Sequence, residues 1–237
     1  MITDLKKQLF EQYPHKTELH AHTYPISPCS EFSPEALIEA YRETGVEAIA
    51  LTNHLTPSHL ADRSPDAFAS EYVAAFERFR ECAEAAGIAA IFGIELRFAE
   101  NSNDYLLFGI DEGDTADVCR CIPLGLERFA REYKRESMLL IQAHPKRNGM
   151  TDMPLACLDG VEVFNMHPGH NSRPAIAARM TAGKDLIVTG GTDFHHPGHE
   201  GCCLLRSRSL ATDSHALVAL LRRRDYLLQV GDSMILP

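Results

Sequence analysis

The 237-residue chain lacks a basic excess: 33 Asp and Glu stand against 23 Lys and Arg, a formal charge of −10. Proteins held to nucleic acid by backbone charge carry basic stripes, so this balance argues against a long nucleic-acid partner. It leaves room for a small phosphorylated substrate, because bound metal ions would reverse the local sign. No apolar run approaches the length of a bilayer span, and the opening Met-Ile-Thr-Asp-Leu-Lys-Lys lacks a signal peptide's apolar core. A cytoplasmic chain without membrane attachment is therefore expected. The seven cysteines have no framework spacing; Cys119-Arg-Cys121 and Cys202-Cys203 do not match a zinc finger, and the odd, scattered set fits a reducing compartment. Ser207 and Ser209 lack a partnered His–Asp order, which argues against a serine hydrolase. Low-complexity stretches and obvious linkers are also missing. The length suits one domain, read as 1–237, and 45% hydrophobic residues suffice for a large core.

What the chain does have is alternation. Short apolar runs at Thr17–Ala21, Ala48–Thr52, Ala89–Leu96, Tyr105–Ile110, Leu139–Ala143, Gly160–Phe164 and Leu186–Thr189 are too short for typical helices and read as strands. Helical patterns lie between them. Ser33-Pro34-Glu35-Ala36 is an N-cap followed by Pro at the first helical position, and that helix should stop at Gly45. Others are expected over Pro65–Ala86, Thr115–Arg135, Arg173–Ala182 and Asp213–Arg223. Seven strands alternating with helices predict a mostly parallel sheet covered by helices, with its chemistry in the loops after the strands.

Five of those runs end in metal-binding residues: Glu18-Leu-His20-Ala-His22, Thr52-Asn-His54, Gly93-Ile-Glu95, Gln142-Ala-His144-Pro and Gly191-Thr-Asp193-Phe-His195. His20 and His22 alternate along a strand, so they share one face. A single His near a strand end is as readily a group bonded to a backbone carbonyl. The joint pattern is poor core packing and good metal chemistry. Imidazoles and carboxylates gathered at one end of a sheet can hold divalent ions, which activate water and neutralise a phosphate.

These segments resemble the PHP (polymerase and histidinol phosphatase) family. The likeness runs from Glu18 to about Leu205 and includes Ser33-Pro34-Glu35-Ala36-Leu37, Leu51-Thr-Asn-His54 and Asp159-Gly-Val-Glu-Val-Phe-Asn165. It implies a TIM-like, distorted seven-stranded (β/α)7 barrel with two or three divalent ions (zinc, manganese or iron) at the carboxyl ends of the strands. It also implies hydrolysis of phosphate esters. His20, His22, Glu95 and Asp193 would hold one ion. Glu95 would bridge to a second, shared with His144, and His54 and His195 would hold a third. Two positions depart from the family's commonest pattern. Asp104 stands where the second ion often has a His, and a carboxylate could replace it. Counting back from Ser33-Pro34 puts Cys29 where the third ion often takes Asp or His. A thiolate there favours zinc or iron over magnesium, while a small Cys packed in a Pro-rich loop is the plainer reading.

Around this set, Arg147 and Arg173 are candidate phosphate clamps, each with a solvated surface Arg as its ordinary alternative. Asn165, His167, His170, His196 and His199 are candidates for the substrate rim or for orienting ligands, and one of them, such as His199, could protonate the leaving oxygen. His195 counts as both ligand and catalytic group. His15, His59 and His215 read as surface residues, and Arg222-Arg-Arg224 as a helix terminus suited to the dipole. The expectation is a metal-dependent phosphoesterase acting on a histidinol phosphate-like or nucleotide substrate. An exonuclease on the same site is one competitor. An amidohydrolase cutting C–N or C–O bonds is another, though that superfamily typically has eight strands and often a bridging modified Lys, where this chain shows seven strands and Glu95.

Overall fold

Each apolar run becomes a strand, and the residues that interrupt the runs decide where the sheet turns. The structure, a computed structural model, describes residues 2–237; Met1, at the head of the opening read above as lacking a leader's core, lies outside them. The strands are β1 (His15–Ala21), β2 (Ala48–Leu51), β3 (His54–Leu55), β4 (Ala89–Phe92), β5 (Ile94–Arg97), β6 (Asp104–Phe108), β7 (Leu139–Gln142), β8 (Gly160–Asn165), β9 (Ile187–Gly191), β10 (Cys203–Ser207), β11 (Tyr226–Val230) and β12 (Ser233–Ile235). The helices are α1 (Ile2–Gln12), α2 (Pro34–Tyr41), α3 (Pro65–Ala85), α4 (Thr115–Cys121), α5 (Leu126–Glu132), α6 (Pro174–Thr181) and α7 (Ser214–Arg223).

The α/β character is as expected, but the strands form two mixed six-stranded sheets rather than one mostly parallel seven-stranded array. Their orders are β12-β11-β10-β1-β2-β4 and β3-β5-β6-β7-β8-β9. Two chain runs cross between them. One breaks at Thr52-Asn53 into β2 and β3, the other at Gly93 into β4 and β5. A side chain at Gly93 would meet the Phe108 ring at 2.8 Å. Tyr72 of α3 fastens both breaks, its hydroxyl lying 2.7 Å from the Asn53 carbonyl and 3.0 Å from that of Gly93. On the other flank, Ala21 at the end of β1 bridges to Phe194 just beyond β9. β6 runs antiparallel to β5, because the segment 98–103 is too short for a helical crossover, and is antiparallel to β7 as well.

Other differences have local causes. The expected helix over Thr115–Arg135 is cut by Pro123 and by Gly125 at φ 79°, which end one helix and start the next. β10 to β12 and α1 were not expected. β10 pairs antiparallel with β1 and so seats the strand that carries the first two histidines.

Strand alternation divides the core. Ile49 and Leu51 face one cluster with Phe92 of β4 and with Tyr41, Phe68 and Phe79 from α2 and α3. Ala48 and Ala50 face the other, with Leu19, Ile91, Phe108, Ile141 and Leu217. Full burial of each large side chain is worth about 1.5–3 kcal/mol. Among the described residues no helix is long and apolar enough to cross a membrane.

Candidate metal centre

β1 supplies the floor of the site. Its register against β2 shifts between Glu18 and Ala21, so Leu19 and Ala21 pack in different halves of the core, and Glu18, His20 and His22 are all fully buried. Parallel pairing sets His54 of β3 beside Glu95 of β5. His144 and Asp193 follow β7 and β9 with φ of 28° and 54°. A non-glycine residue in that region costs about 1–3 kcal/mol and is held by its surroundings. Here the His144 amide donates to Glu162 Oε2 at 2.9 Å, and Asn165 Nδ2 donates to Asp193 Oδ2 at 3.0 Å. Gly191 is needed for the approach of β9 to β1, since a Cβ there would meet His20 Cβ at 2.5 Å and Glu162 Oε1 at 2.8 Å.

The ligand-type side chains converge. His20 Nε2 lies 3.3 Å from Glu95 Oε1 and 3.4 Å from Asp193 Oδ1. His22 Nε2 is 3.4 Å from both Glu95 Oε2 and Asp193 Oδ1. His54 Nδ1 is 2.7 Å from Glu95 Oε2. The His22 ring centroid sits 4.5 Å from that of His54 and 4.4 Å from that of His195, and Cys29 Sγ is 3.1 Å from His195 Nε2. Three groups offer atoms close enough for an ion: His20, His22 and Glu95; His22, His54 and His195; and Glu95, Asp104 and His144.

Their hydrogen bonding separates them. His20 Nε2, His22 Nε2, His54 Nδ1 and Glu95 Oε2 are buried without a hydrogen bond, although they stand near one another. Buried polar atoms are rarely left so. Atoms that approach without forming hydrogen bonds point their lone pairs at a shared place, as ligands do. The first two groups therefore fit divalent ions. In the third group the atoms between the residues are already engaged. His144 Nε2 is hydrogen-bonded to Glu95 Oε1 at 3.0 Å, and Asp104 takes Arg97 in a fork, Nε to Oδ1 and Nη2 to Oδ2, both at 2.7 Å.

The charges follow. Burial alone would depress His20, but Asp193, Glu162 and Glu95 outweigh it and hold the imidazole well above its ordinary range. At His54 burial is likewise outweighed, here by Glu95 and Cys29. His22 goes the other way, pushed well down by burial and by His195 and His54. Burial would raise Glu95 and Asp193, yet the imidazoles, His54 and His20 first among them, keep both carboxylates well below their usual values. For Cys29 burial is opposed by hydrogen bonds to His195 and His54, which bring the thiol down to about 6.

Two carboxylates orient the ligands and escaped the sequence reading. Glu162 Oε1 lies 2.8 Å from His20 Nδ1. Glu18 accepts from the His20 and Thr192 amides, each at 3.0 Å, and from the Tyr41 hydroxyl at 2.8 Å. Ser27, another omission, bonds His22 Nδ1 at 3.2 Å and receives the His54 amide at 2.9 Å. Their only signal was polarity inside runs destined for burial.

Beside the cluster opens a cavity of about 260 Å³. Arg147, His167, His170 and His196 line it, as does Arg97, which the sequence reading passed over. Arg147 also reaches Asp104 Oδ2 at 3.1 Å and His170 at 3.3 Å. His170 Nδ1 stands 3.2 Å from Asp193 Oδ2, and His196 Nδ1 3.2 Å from Glu31. Asn165 is buried behind Asp193. Arg173 is turned to the 146–148 loop, donating to the Lys146 carbonyl and Asn148, and does not line the cavity. His199 packs on Phe194 with ring centroids 5.3 Å apart. His15, His59 and His215 lie away from the cluster, bonded to Glu47, Thr56 and Asp111. Arg222 donates to the Met138 carbonyl at 3.3 Å, and Arg224 closes α7 at φ 56°.

Comparison with protein families matches residues 18–208 to the PHP domain. Comparison with curated proteins gives no match. Among solved structures, the fold resembles a two-domain protein of Bacteroides vulgatus assigned as containing a PHP-like metal-dependent phosphoesterase, with 21% identity and a TM-score of 0.66 over 93% of this chain. The chain spans 66% of that protein's length. It also resembles a protein of Bifidobacterium adolescentis assigned as a metal-dependent phosphoesterase, with 17% identity, a TM-score of 0.54 and coverage of 87% and 96% of the two chains. An amidohydrolase of Chromobacterium violaceum is similar at 16% identity and a TM-score of 0.50, over 78% of this chain and 89% of that one. At these identities the likeness is one of fold.

Proposed function

The chain belongs to the PHP domain family, and on that premise we propose that it is a metal-dependent phosphoesterase acting on a small phosphorylated metabolite. The observation that carries this reading is the convergence of His20, His22, His54 and Glu95, whose ligand atoms are buried and unbonded, with Asp193 beside them. His20, His22, Glu95 and Asp193 would hold one ion; His54, His195 and Cys29 would hold another. Divalent ions there supply a Lewis acid for the phosphoryl oxygens and a water acidic enough to attack at neutral pH.

The chain's own residues do the rest. Arg147 and Arg97 give the cavity wall fixed positive charge, which draws the dianionic end of a phosphomonoester toward the cluster. A volume of about 260 Å³ suits a small ligand better than a nucleic-acid track, in keeping with the acidic chain. His196 is the candidate donor to the leaving oxygen: Glu31 occupies its Nδ1 and leaves Nε2 for the ligand. His167 is a poorer donor, because burial and neighbouring imidazoles hold it down to about 4, neutral at physiological pH. Asn165 and Glu162 keep Asp193 and His20 in place.

The test is a substrate panel with the metal-loaded protein: phosphomonoesters including histidinol phosphate and nucleoside monophosphates, 3′,5′-bisphosphates, short oligonucleotides, amides and lactones. Turnover confined to small phosphate esters is expected. Asp193→Asn should lower it by roughly 10²-fold or more while the fold persists. Turnover of amides or lactones alone would sink the reading, and so would an Asp193→Asn protein as active as the wild type.

A further inference from the structure

The third ligand group departs from the other two in a way that fixes how many ions the centre holds. We propose that Arg97 stands in for an ion beside Asp104 and His144, so that the centre carries two divalent ions per chain rather than three. The inference rests on the metal-centre reading above and not on which bond is hydrolysed.

Asp104 is fully buried on β6, opposite Arg97 of β5 in antiparallel register. That pairing lets the guanidinium engage the carboxylate side-on, through Nε and Nη2, at 2.7 Å on each oxygen. The oxygen nearer His144 is Oδ2, 3.7 Å from Nε2. It is the same oxygen that accepts a second guanidinium, Arg147 Nη2, at 3.1 Å. The lone pairs an ion would need are therefore spent. A histidine can surrender its proton to an incoming ion, but a guanidinium cannot at any physiological pH. Two fixed cations also repel a dication at this spot.

Glu95 divides along the same line. Its Oε1 is hydrogen-bonded to His144, whereas its Oε2, which faces His22 and His54, has no hydrogen bond. Four unbonded ligand atoms lie at the His20–His22–His54 end; at the Asp104 end His144 Nδ1 is also buried without a hydrogen bond, but the atoms that face one another there, His144 Nε2 and the two Asp104 oxygens, are engaged. Arg97 spends Nε and Nη2 on Asp104, and the residue lines the cavity beside the cluster.

The experiment loads the full chain with Mn(II), removes free metal, and measures metal per chain together with anomalous diffraction from crystals. Two ions per chain are expected, one against His20, His22, Glu95 and Asp193 and one against His54 and His195, with no anomalous peak at bonding distance from Asp104. A third peak bonded to Asp104 and His144 in the wild type overturns the proposal outright, without recourse to a variant. In the Arg97→Ala/Asp104→His protein, which removes the cation and supplies an imidazole, stoichiometry should rise from two to three. A variant that folds and stays at two shows that Arg97 is not what closes the position, and that also overturns it. A chain that binds two ions in these places yet cleaves no phosphoester fails the functional reading alone.

Discussion

Glu162 Oε1 stands 2.8 Å from His20 Nδ1, and this contact decides which nitrogen of His20 faces the ion site. A carboxylate on Nδ1 keeps the proton there and leaves Nε2 as the ligand. The other oxygen of Glu162 receives the His144 amide at 2.9 Å and Asn165 Nδ2 at 3.0 Å, so one carboxylate orients groups from three strand ends. Glu162→Gln keeps the shape but adds an NH2 that must face one of these donors. Metal affinity should fall by roughly 10- to 100-fold with the circular dichroism spectrum unchanged. Competition with a fluorescent chelator measures it, and an unaltered affinity would remove Glu162 from this role.

How much of this could be read in the sequence depended on where each residue's signal lay. His20, His22, His54, Glu95, His144 and Asp193 each break an apolar run at its end, where polar residues are conspicuous. Glu18 and Glu162 sit inside runs, where an alternating pattern reads a polar residue as solvent-facing; the walls of this site bury both strand faces. Arg97 was passed over because one Arg at a strand end is ordinary, and only the register with Asp104 gives it a partner. The mixed sheets were legible in part: the segment 98–103 cannot hold a crossover helix, which demands an antiparallel β6. The break in the run at Asn53 was not legible, because what fixes it is the distant Tyr72.

Metal affinity should climb with pH. Although burial opposes it, carboxylate neighbours hold His20 and His54 above their ordinary range, so in the metal-free protein both carry protons near neutrality. An ion takes the neutral imidazole and must displace those protons. Glu95 and Asp193 are held well down and are already ionised, so they add no slope there. Calorimetry in two buffers of different ionisation enthalpy should show proton release on binding. The rise in melting temperature given by a fixed ion concentration should grow between about pH 6 and about pH 8, toward the ~2.7 kcal/mol expected at 100-fold over Kd. Binding without proton release would contradict the charge states assigned to the two histidines.

Tyr72→Phe should loosen both strand breaks. Its hydroxyl reaches the Asn53 and Gly93 carbonyls, and both lie next to elements that carry ligands, His54 and Glu95. Phe retains the ring's packing against Phe92, a T-shaped contact with centroids 6.0 Å apart. The substitution thus isolates the loss of the hydroxyl, which takes a donor from both carbonyls, though Asn53 keeps the Glu95 amide at 3.1 Å, and costs about 1–3 kcal/mol. Urea unfolding should show a lower midpoint at unchanged m. An unchanged midpoint would mean the breaks hold without Tyr72.

Cys29 should be the first cysteine to react. Hydrogen bonds to His195 and His54, outweighing burial, bring its thiol down to about 6, whereas burial pushes Cys119 up to about 12 and Cys121 and Cys202 up to about 11. The thiolate is the nucleophile, so at neutral pH Cys29 is mostly reactive while Cys119, Cys121 and Cys202 hold on the order of 10⁻⁴ of that form or less; burial also raises Cys82, Cys157 and Cys203. Cys29 is also exposed, whereas Cys119 and Cys121 are buried. Brief iodoacetamide treatment of the metal-free protein near pH 7 should place one label per chain, mapped to Cys29 by peptide mass. Because the thiol is depressed, its charged form is lost as pH falls through about 6, and labelling near pH 5 should slow by roughly tenfold. Zinc added first should suppress the reaction at Cys29, since a thiolate bonded to an ion is a poor nucleophile toward iodoacetamide. Labelling at Cys29 that zinc leaves unchanged would place the thiol outside the ion's reach and return it to the plainer role of a small side chain in its loop.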